Sequence, residues 1–465
     1  MAYDYDLICI GSGPAGQKCA VQAAKLGKKV AVIEKKSTVG GVCVDTGTIP
    51  SKTFREAVLF YTSMSGRFDA QQAVRGGSRP AAADLHARVG ETVATEQAVV
   101  ERQLRRNDIT VIRGEGYFVD AHTIGVHVQN AEGKITTEFV FLGVGTHPAK
   151  PPGIEADGQT VLTSDDVIVM KTIPRTLTVV GAGVIGTEYG SMFAQLGTEV
   201  TMVEKRERPL EFLDREIVDE LMHQMRDRNV TFRLEESVAS IRVEQKGALH
   251  RAVIELESGK RLISDAALFS AGRVASTDAL NLAAAGVPVG DRGRLTVDEN
   301  FRTAVANIYA GGDVIGAPAL AATSAEQGRR AACHMFGLTS EPMPKWYPFG
   351  IYAIPEISMV GDTEEQLTEK KVPYEIGVAR YREIARGQIL GDNSGLFKMI
   401  FHRDTRKLLG IHIIGTHATE LVHIGQAVLA LGGGLDYFLD AVFNYPTLAE
   451  CYKVAALDAY NKLRS

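Results

Sequence analysis

Apolar and polar positions along the chain form a pattern that occurs twice. YDLICI (5–10) is a short apolar run that breaks at glycines, and KCAVQAAKLG after it carries its apolar residues at helical spacing. KKVAVIE then returns to a strand-like run ending at Glu34. The succession recurs as RTLTVV, a second glycine turn, helical TEYGSMFAQLG, and TEVTMVE ending at Glu204. Strand, tight turn, helix and strand in this order predict a parallel βαβ unit, so the chain is expected to be α/β with two such units. Elsewhere the pattern predicts a helix start at Pro50, a polar loop over 66–81, an amphipathic surface helix over 84–106 and a helix from about Ala321. Beyond the two units there is no internal repeat.

The turns carry Gly11, Gly13 and Gly16 in the first unit and Gly181, Gly183 and Gly186 in the second. In a dinucleotide-binding turn the first glycine permits the sharp bend. The second lets a pyrophosphate approach the backbone, and the third lets the helix pack on the strand. The phosphates then face the helix N-terminus. An acid closing the second strand can accept hydrogen bonds from a ribose, and Glu34 and Glu204 each follow the third glycine by 18 residues (16 to 34, 186 to 204). One glycine-rich turn is a weak signal, but two complete units of equal spacing predict two Rossmann-like domains and two dinucleotides bound at once. Such an enzyme most often keeps a flavin and exchanges a nicotinamide nucleotide, because flavin accepts a hydride and stores two electrons.

Composition changes this picture little. With 465 residues the chain is expected to hold about three domains at roughly 150 residues each. A net charge of −5 offers no broad basic surface for nucleic acid or anionic membrane, so neither is expected as a partner. No apolar run approaches a membrane span of about 18 residues, and the first residues lack the basic and apolar regions of a signal peptide. A cytoplasmic protein is expected. Cys9, Cys19, Cys43, Cys333 and Cys451 lie at no metal-ligand spacing and read mainly as small buried side chains. His412, His417 and His423, five and six residues apart, do not align on one helical face. No metal site is expected.

Taken together, the twin units, GGVCVDTGTIPSK (40–52), TAVANIYAGGDVIG (303–316) and FNYPTLAE near the C-terminus resemble the pyridine nucleotide–disulfide oxidoreductases. The resemblance spans nearly the whole chain. It implies an FAD-binding domain over 1–150, an inserted NAD(P)-binding domain over 151–272, a central second part of the FAD domain over 273–345, and a C-terminal α+β interface domain over 346–465 that makes a homodimer. PAKPPG, AGR (271–273) and EPMPKWYP mark the crossings. It places Gly11, Gly13, Gly16, Glu34, Lys35, Gly40, Gly41, Val42, Cys43, Lys52, Gly116, Gly145, Asp313, Leu320 and Ala321 at FAD. Asp313 would hold the ribityl chain, and the helix from Ala321 would aim its positive end at the pyrimidine ring. At NAD(P) it places Gly181, Gly183, Gly186, Glu188, Glu204, Lys205, Arg206, Arg208, Val238 and Gly272. Lys52 would lie beside flavin N5, paired with Glu188.

The chain departs from the family at two positions. Disulfide reductases of this family use two cysteines at C-x4-C spacing, whereas here Cys43 is followed by Thr48, and a hydroxyl cannot form a disulfide. The family's proton-shuttling histidine near the C-terminus is Tyr445, with Glu450 still following. Tyrosine, whose ordinary pKa is about 10, is a poor shuttle at neutral pH. Electrons are therefore expected to enter and leave as hydride, from NADPH to NAD+, through one nucleotide site alternately occupied. Cys43 reads as a flavin contact rather than a nucleophile. Lys205, Arg206 and Arg208 beside Glu204 would admit a 2′-phosphate, with a solvated basic turn as the alternative. The competing functions are an NAD(P)H-dependent diaphorase, quinone reductase or oxidase, and a non-catalytic flavoprotein module with Cys43 as redox sensor.

Overall fold

The computed structural model describes residues 3–66, 80–128, 131–149, 154, 156–247 and 249–464. Nearly all of the loop expected at 66–81 falls outside them. The amphipathic helix expected at 84–106 runs Ala82–Arg106 and buries Leu85, Val89, Val100 and Leu104 along one face.

The first predicted unit forms the centre of a seven-stranded sheet. Tyr5–Ile10 pairs in parallel with Val30–Glu34 on one side and with Ala131–Leu142 on the other. Thr110–Arg113 extends the first side, and Ile308–Ala310 adds in parallel beside Ala131–Leu142. Burial on both faces explains why Leu7, Ile8 and Cys9 form a continuous apolar run rather than an alternating one. The second unit centres a five-stranded parallel sheet, with Thr176–Val180 between Glu199–Glu204 and Ala266–Phe269. In both sheets strand order reverses beside the glycine turn, where α/β folds open a crevice for ligand.

The C-terminal part is a five-stranded antiparallel sheet in the order Phe349–Ile351, Ile357–Gly361, Leu408–Ile414, Leu396–His402, Tyr374–Arg380. Helices Ala418–Ala430 and Glu450–Arg464 contribute Leu421, Tyr452 and Ala455 to its apolar core. Another core runs between the parts of the molecule. Phe54, Ala57 and Val58 from helix Thr48–Gly66 meet Tyr189, Met192 and Phe193 from helix Val184–Gln195, and Ile351, Ala353 and Ile354 from the C-terminal part. This shared apolar cluster fixes the three segments whose polar ends meet in the site. Helix Ala321–Met335 packs on helix Pro14–Lys25 so closely that a Cβ on Gly328 would stand 2.0 Å from the Ala15 carbonyl oxygen.

Candidate active site between the two nucleotide turns

The two glycine turns are built alike. Gly11 and Gly181 have φ of 99° and 95°, a region that favours glycine. A Cβ on Gly16 would lie 2.0 Å from the Gly11 carbonyl oxygen, and one on Gly186 would lie 1.9 Å from that of Gly181, so helix and strand meet there with no room for a side chain. The middle glycines differ from these. A Cβ on Gly13 would meet nothing nearer than 3.9 Å, and one on Gly183 nothing within 4 Å. Each middle glycine thus borders open space and is itself the N-cap of its helix, with no side chain to occupy the free amides, which suits a pyrophosphate. Gly41, at φ 60°, closes over the first turn, where its Cβ would come 2.8 Å from the Gly13 Cα.

The two acids end their strands in the same way but have different partners. Glu34 accepts hydrogen bonds from the Ser12 amide (3.0 Å), the Ser12 hydroxyl (2.6 Å) and the Lys36 amide (2.9 Å). Glu204 accepts one from the Ala182 amide (2.7 Å), while Arg206 Nε and Nη2 grip its two oxygens at 2.8 and 3.0 Å. Burial would raise the Glu204 carboxyl, but the Arg206 and backbone hydrogen bonds outweigh it and hold the group below its ordinary value. Arg206 is therefore folded onto the acid rather than extended into solvent. Arg208 stands 3.8 Å from Glu365 of the C-terminal part. Lys205 is exposed.

Lys52 and Glu188, 136 residues apart in sequence, form an ion pair at 2.7 Å. The second Glu188 oxygen accepts the backbone amide of Tyr352 at 2.9 Å. The Lys52 ammonium lies 5.0 Å from the centre of the Tyr352 ring. Cys43 stands in helix Gly41–Asp45, hydrogen-bonded to Thr48 and close enough to feel Asp313 and Lys52 electrostatically. Burial pushes its thiol up, against the opposing effect of the Thr48 hydrogen bond and the Lys52 charge. It is thus held as a thiol, a form with little nucleophilicity.

The other expected residues divide by position. Thr146 donates to Asp313 at 3.4 Å, and Ala321 begins a helix whose N-cap, Leu320, offers no polar side chain to its first amides. Gly40 and Gly145 adopt φ of 115° and 64°, Gly272 one of 123°. Gly116 packs on Ile33, Val42 and Val238 are half-buried, and Lys35 is exposed. Tyr445 is 73% exposed, and Glu450 begins the last helix with one buried oxygen unpartnered. His412, His417 and His423 do not converge. His412 is buried with Nε2 on the Asp362 carbonyl, while His423 meets Gln426. Among the described residues, the acids near enough to share a cation are Asp214, Glu216 and Glu364, and the buried ammonium of Lys398 already stands among them.

Sequence reasoning missed Ser12 and Tyr352. A hydroxyl directly after the first glycine was a readable signal, because the second unit has Ala182 there. Tyr352 had none, since its place beside Lys52 follows from packing 300 residues away.

Comparison with known proteins agrees with this architecture. Residues 5–328 match the family model for the pyridine nucleotide-disulphide oxidoreductases, and residues 347–456 match the dimerisation domain of that family. The chain is 52% identical over 464 residues to a soluble pyridine nucleotide transhydrogenase of Mycobacterium bovis, covering 99% of this chain and 98% of the relative. It is 42% identical to one from Marinomonas sp., with 99% of each covered. Among solved structures it superposes on RclA, a HOCl-induced flavoprotein disulfide reductase from Escherichia coli, with a TM-score of 0.87 at 28% identity, covering 97% of this chain and 99% of the other. LpdA from Mycobacterium tuberculosis gives 0.88 at 27%, with the same coverage. Both family models together span the twin glycine turns and the antiparallel C-terminal sheet, and the chain belongs to the pyridine nucleotide-disulphide oxidoreductase family.

Proposed function

We propose that the chain is an FAD-dependent transhydrogenase that moves hydride between NADPH and NAD+, one nucleotide after the other, with no redox-active disulfide. The observation that carries this reading is the Lys52–Glu188 pair, which links helix Thr48–Gly66 to the helix that follows the second glycine turn, near a cysteine whose neighbour at the disulfide position is the Thr48 hydroxyl. The relatives named as soluble pyridine nucleotide transhydrogenases support it across the whole chain.

The residues fit FAD at the first turn. Gly13 leaves the backbone open to a pyrophosphate, Gly41 covers it without a side chain, and Glu34 ends the strand where a ribose would lie. FAD, when bound, supplies a carrier that accepts two electrons and a proton as hydride and returns them. The chain's own part is positional and electrostatic. Lys52, held by Glu188, would present a fixed positive charge in a half-buried setting, and such a charge favours an electron-rich neighbour. At the second turn, Arg206 neutralises Glu204. The pair can rearrange so that the acid accepts ribose hydroxyls of NAD(H), or the guanidinium turns to a 2′-phosphate. Among the described residues Glu34 has no cationic side-chain partner of this kind, consistent with a turn serving a cofactor without that phosphate. The C-terminal sheet, matched by the dimerisation domain, makes the homodimer.

The test is to mix the FAD-loaded protein with NADPH and an NAD+ analogue whose reduced form absorbs at its own wavelength. Prompt formation of the reduced analogue, with parallel lines in double-reciprocal plots, is expected. If the flavin bleaches while the analogue stays oxidised and an added quinone is reduced, the protein is an acceptor reductase. Turnover of a disulfide substrate would overturn the reading of Thr48.

A further inference from the structure

We propose that Tyr352, supplied by the C-terminal part, is a positioning residue for Lys52: its ring face holds the ammonium in place and its backbone amide holds Glu188 in place. This inference rests on the reading of Lys52 and Glu188 as the charged pair beside the flavin.

Four observations lead to it. The Lys52 ammonium has Glu188 at 2.7 Å, Ser51 Oγ at 3.3 Å and the Tyr352 ring centre at 5.0 Å, so an aromatic face borders it on a further side. A cation over a ring face is attracted by the ring quadrupole, more strongly where water is excluded. The Lys52 side chain is only 25% exposed and that of Glu188 5%. The Tyr352 amide donates to the Glu188 oxygen that Lys52 leaves free, so one residue touches both members of the pair. Finally, its loop is fastened from both sides. The Ile354 amide donates to Ser191 Oγ at 2.9 Å on the Glu188 helix, and Arg55 Nε donates to the Ala353 carbonyl at 3.0 Å from the Lys52 helix. Arg55 in turn meets buried Glu356 at 3.3 Å. A long lysine side chain has many rotamers, and a wall anchored to both partner helices confines it.

The hydroxyl has no part in either contact, which separates ring from phenol. In the FAD-loaded dimer, Tyr352→Phe should keep kcat for NADPH-to-NAD+ transfer within about twofold. Tyr352→Leu and Tyr352→Met should lower kcat roughly tenfold, the factor given by about 1.4 kcal/mol of barrier, with KM changed by less than about twofold. The flavin midpoint potential should move in the negative direction in the leucine and methionine variants and stay put in the phenylalanine variant, a readout that simple loosening of the fold would not sort by aromaticity. With lysines labelled at 13Cε, the Lys52 signal, assigned by its loss in Lys52→Met, should shift when Tyr352 becomes leucine but not phenylalanine. Equal kcat and equal potential in all three variants, or a Lys52 signal indifferent to the ring, would overturn the proposal. Lys52→Met separates the two levels. If it slows transfer while Tyr352→Leu does not, only the role of Tyr352 falls; if Lys52→Met itself transfers hydride normally, the charged-pair reading falls and this inference with it.

Discussion

Lys398→Met should be among the most damaging single changes in the molecule away from the nucleotide turns. Lys398 lies in strand Leu396–His402 with 1% of its side chain exposed, and Asp214, at the start of helix Arg215–Asp227, is equally buried. The ammonium meets the two Asp214 oxygens at 2.9 and 3.1 Å, Glu216 at 3.2 Å, and Glu364. Glu216 and Glu364 keep 42% and 29% exposure, so water can still serve them once the cation is gone. Asp214 cannot turn to water. Leaving a buried carboxylate without its cation costs about 3–5 kcal/mol. At roughly 2–4 °C per kcal/mol for units of this size, that lowers the melting midpoint by roughly 6–20 °C. Trp346, the only tryptophan, packs against the C-terminal core, so its fluorescence follows this part of the molecule while flavin fluorescence follows cofactor release. Asp214→Asn added to Lys398→Met should restore most of the loss, since asparagine is nearly isosteric and still caps the helix through the Glu216 amide. The pH dependence should also change. In the native protein burial would raise the Asp214 carboxyl, but nearby His412 and Lys398 outweigh it and hold the group low. Its stabilisation is present above the ordinary carboxylate range and is lost as pH falls through it. Without Lys398 one of the charges that hold the carboxyl low is gone, its value should rise, and the deficit of the single variant should shrink towards pH 5. A single variant melting within about 2 °C of the parent, or a double variant no better than the single, would refute this account.

Gly16→Ala and Gly183→Ala should fail in different ways. The first puts a methyl 2.0 Å from a backbone oxygen and should abolish FAD retention, whereas the second meets nothing within 4 Å and should fold and hold FAD while raising nucleotide KM at least about tenfold. His412 is fully buried and pushed below its ordinary value by that burial. The unfolded chain therefore takes up a proton that the folded one refuses, and stability should fall by up to about 1.4 kcal/mol per pH unit below roughly pH 6.5, a slope that His412→Gln removes. Cys43→Ser should retain most transfer activity, because the thiol is held protonated. Thr48→Cys should instead cost two titratable thiols on oxidation, provided the added sulfur stands where the hydroxyl now meets Cys43.

Local features of the chain were legible because local constraints dictate them. Gly11, Gly16 and Gly186 are glycines because no side chain fits there, and Gly181 because its φ of 95° strains any other residue; such requirements show in the sequence itself. The buried parallel strands announce themselves as apolar runs, and Glu34 and Glu204 sit at strand ends set by the length of one helix and one turn. The missing second sulfur at Thr48 was equally plain. Only the tertiary structure decided who partners whom. Arg206 turns back on Glu204, Arg208 reaches Glu365, and Lys398 finds Asp214 184 residues away, because folding charges into low-dielectric surroundings selects partners by distance through space. The meeting of Lys52, Glu188 and Tyr352 depends on the apolar cluster that Phe54, Phe193 and Ile354 form between three distant segments. Periodicity and spacing along one segment carry no record of such packing.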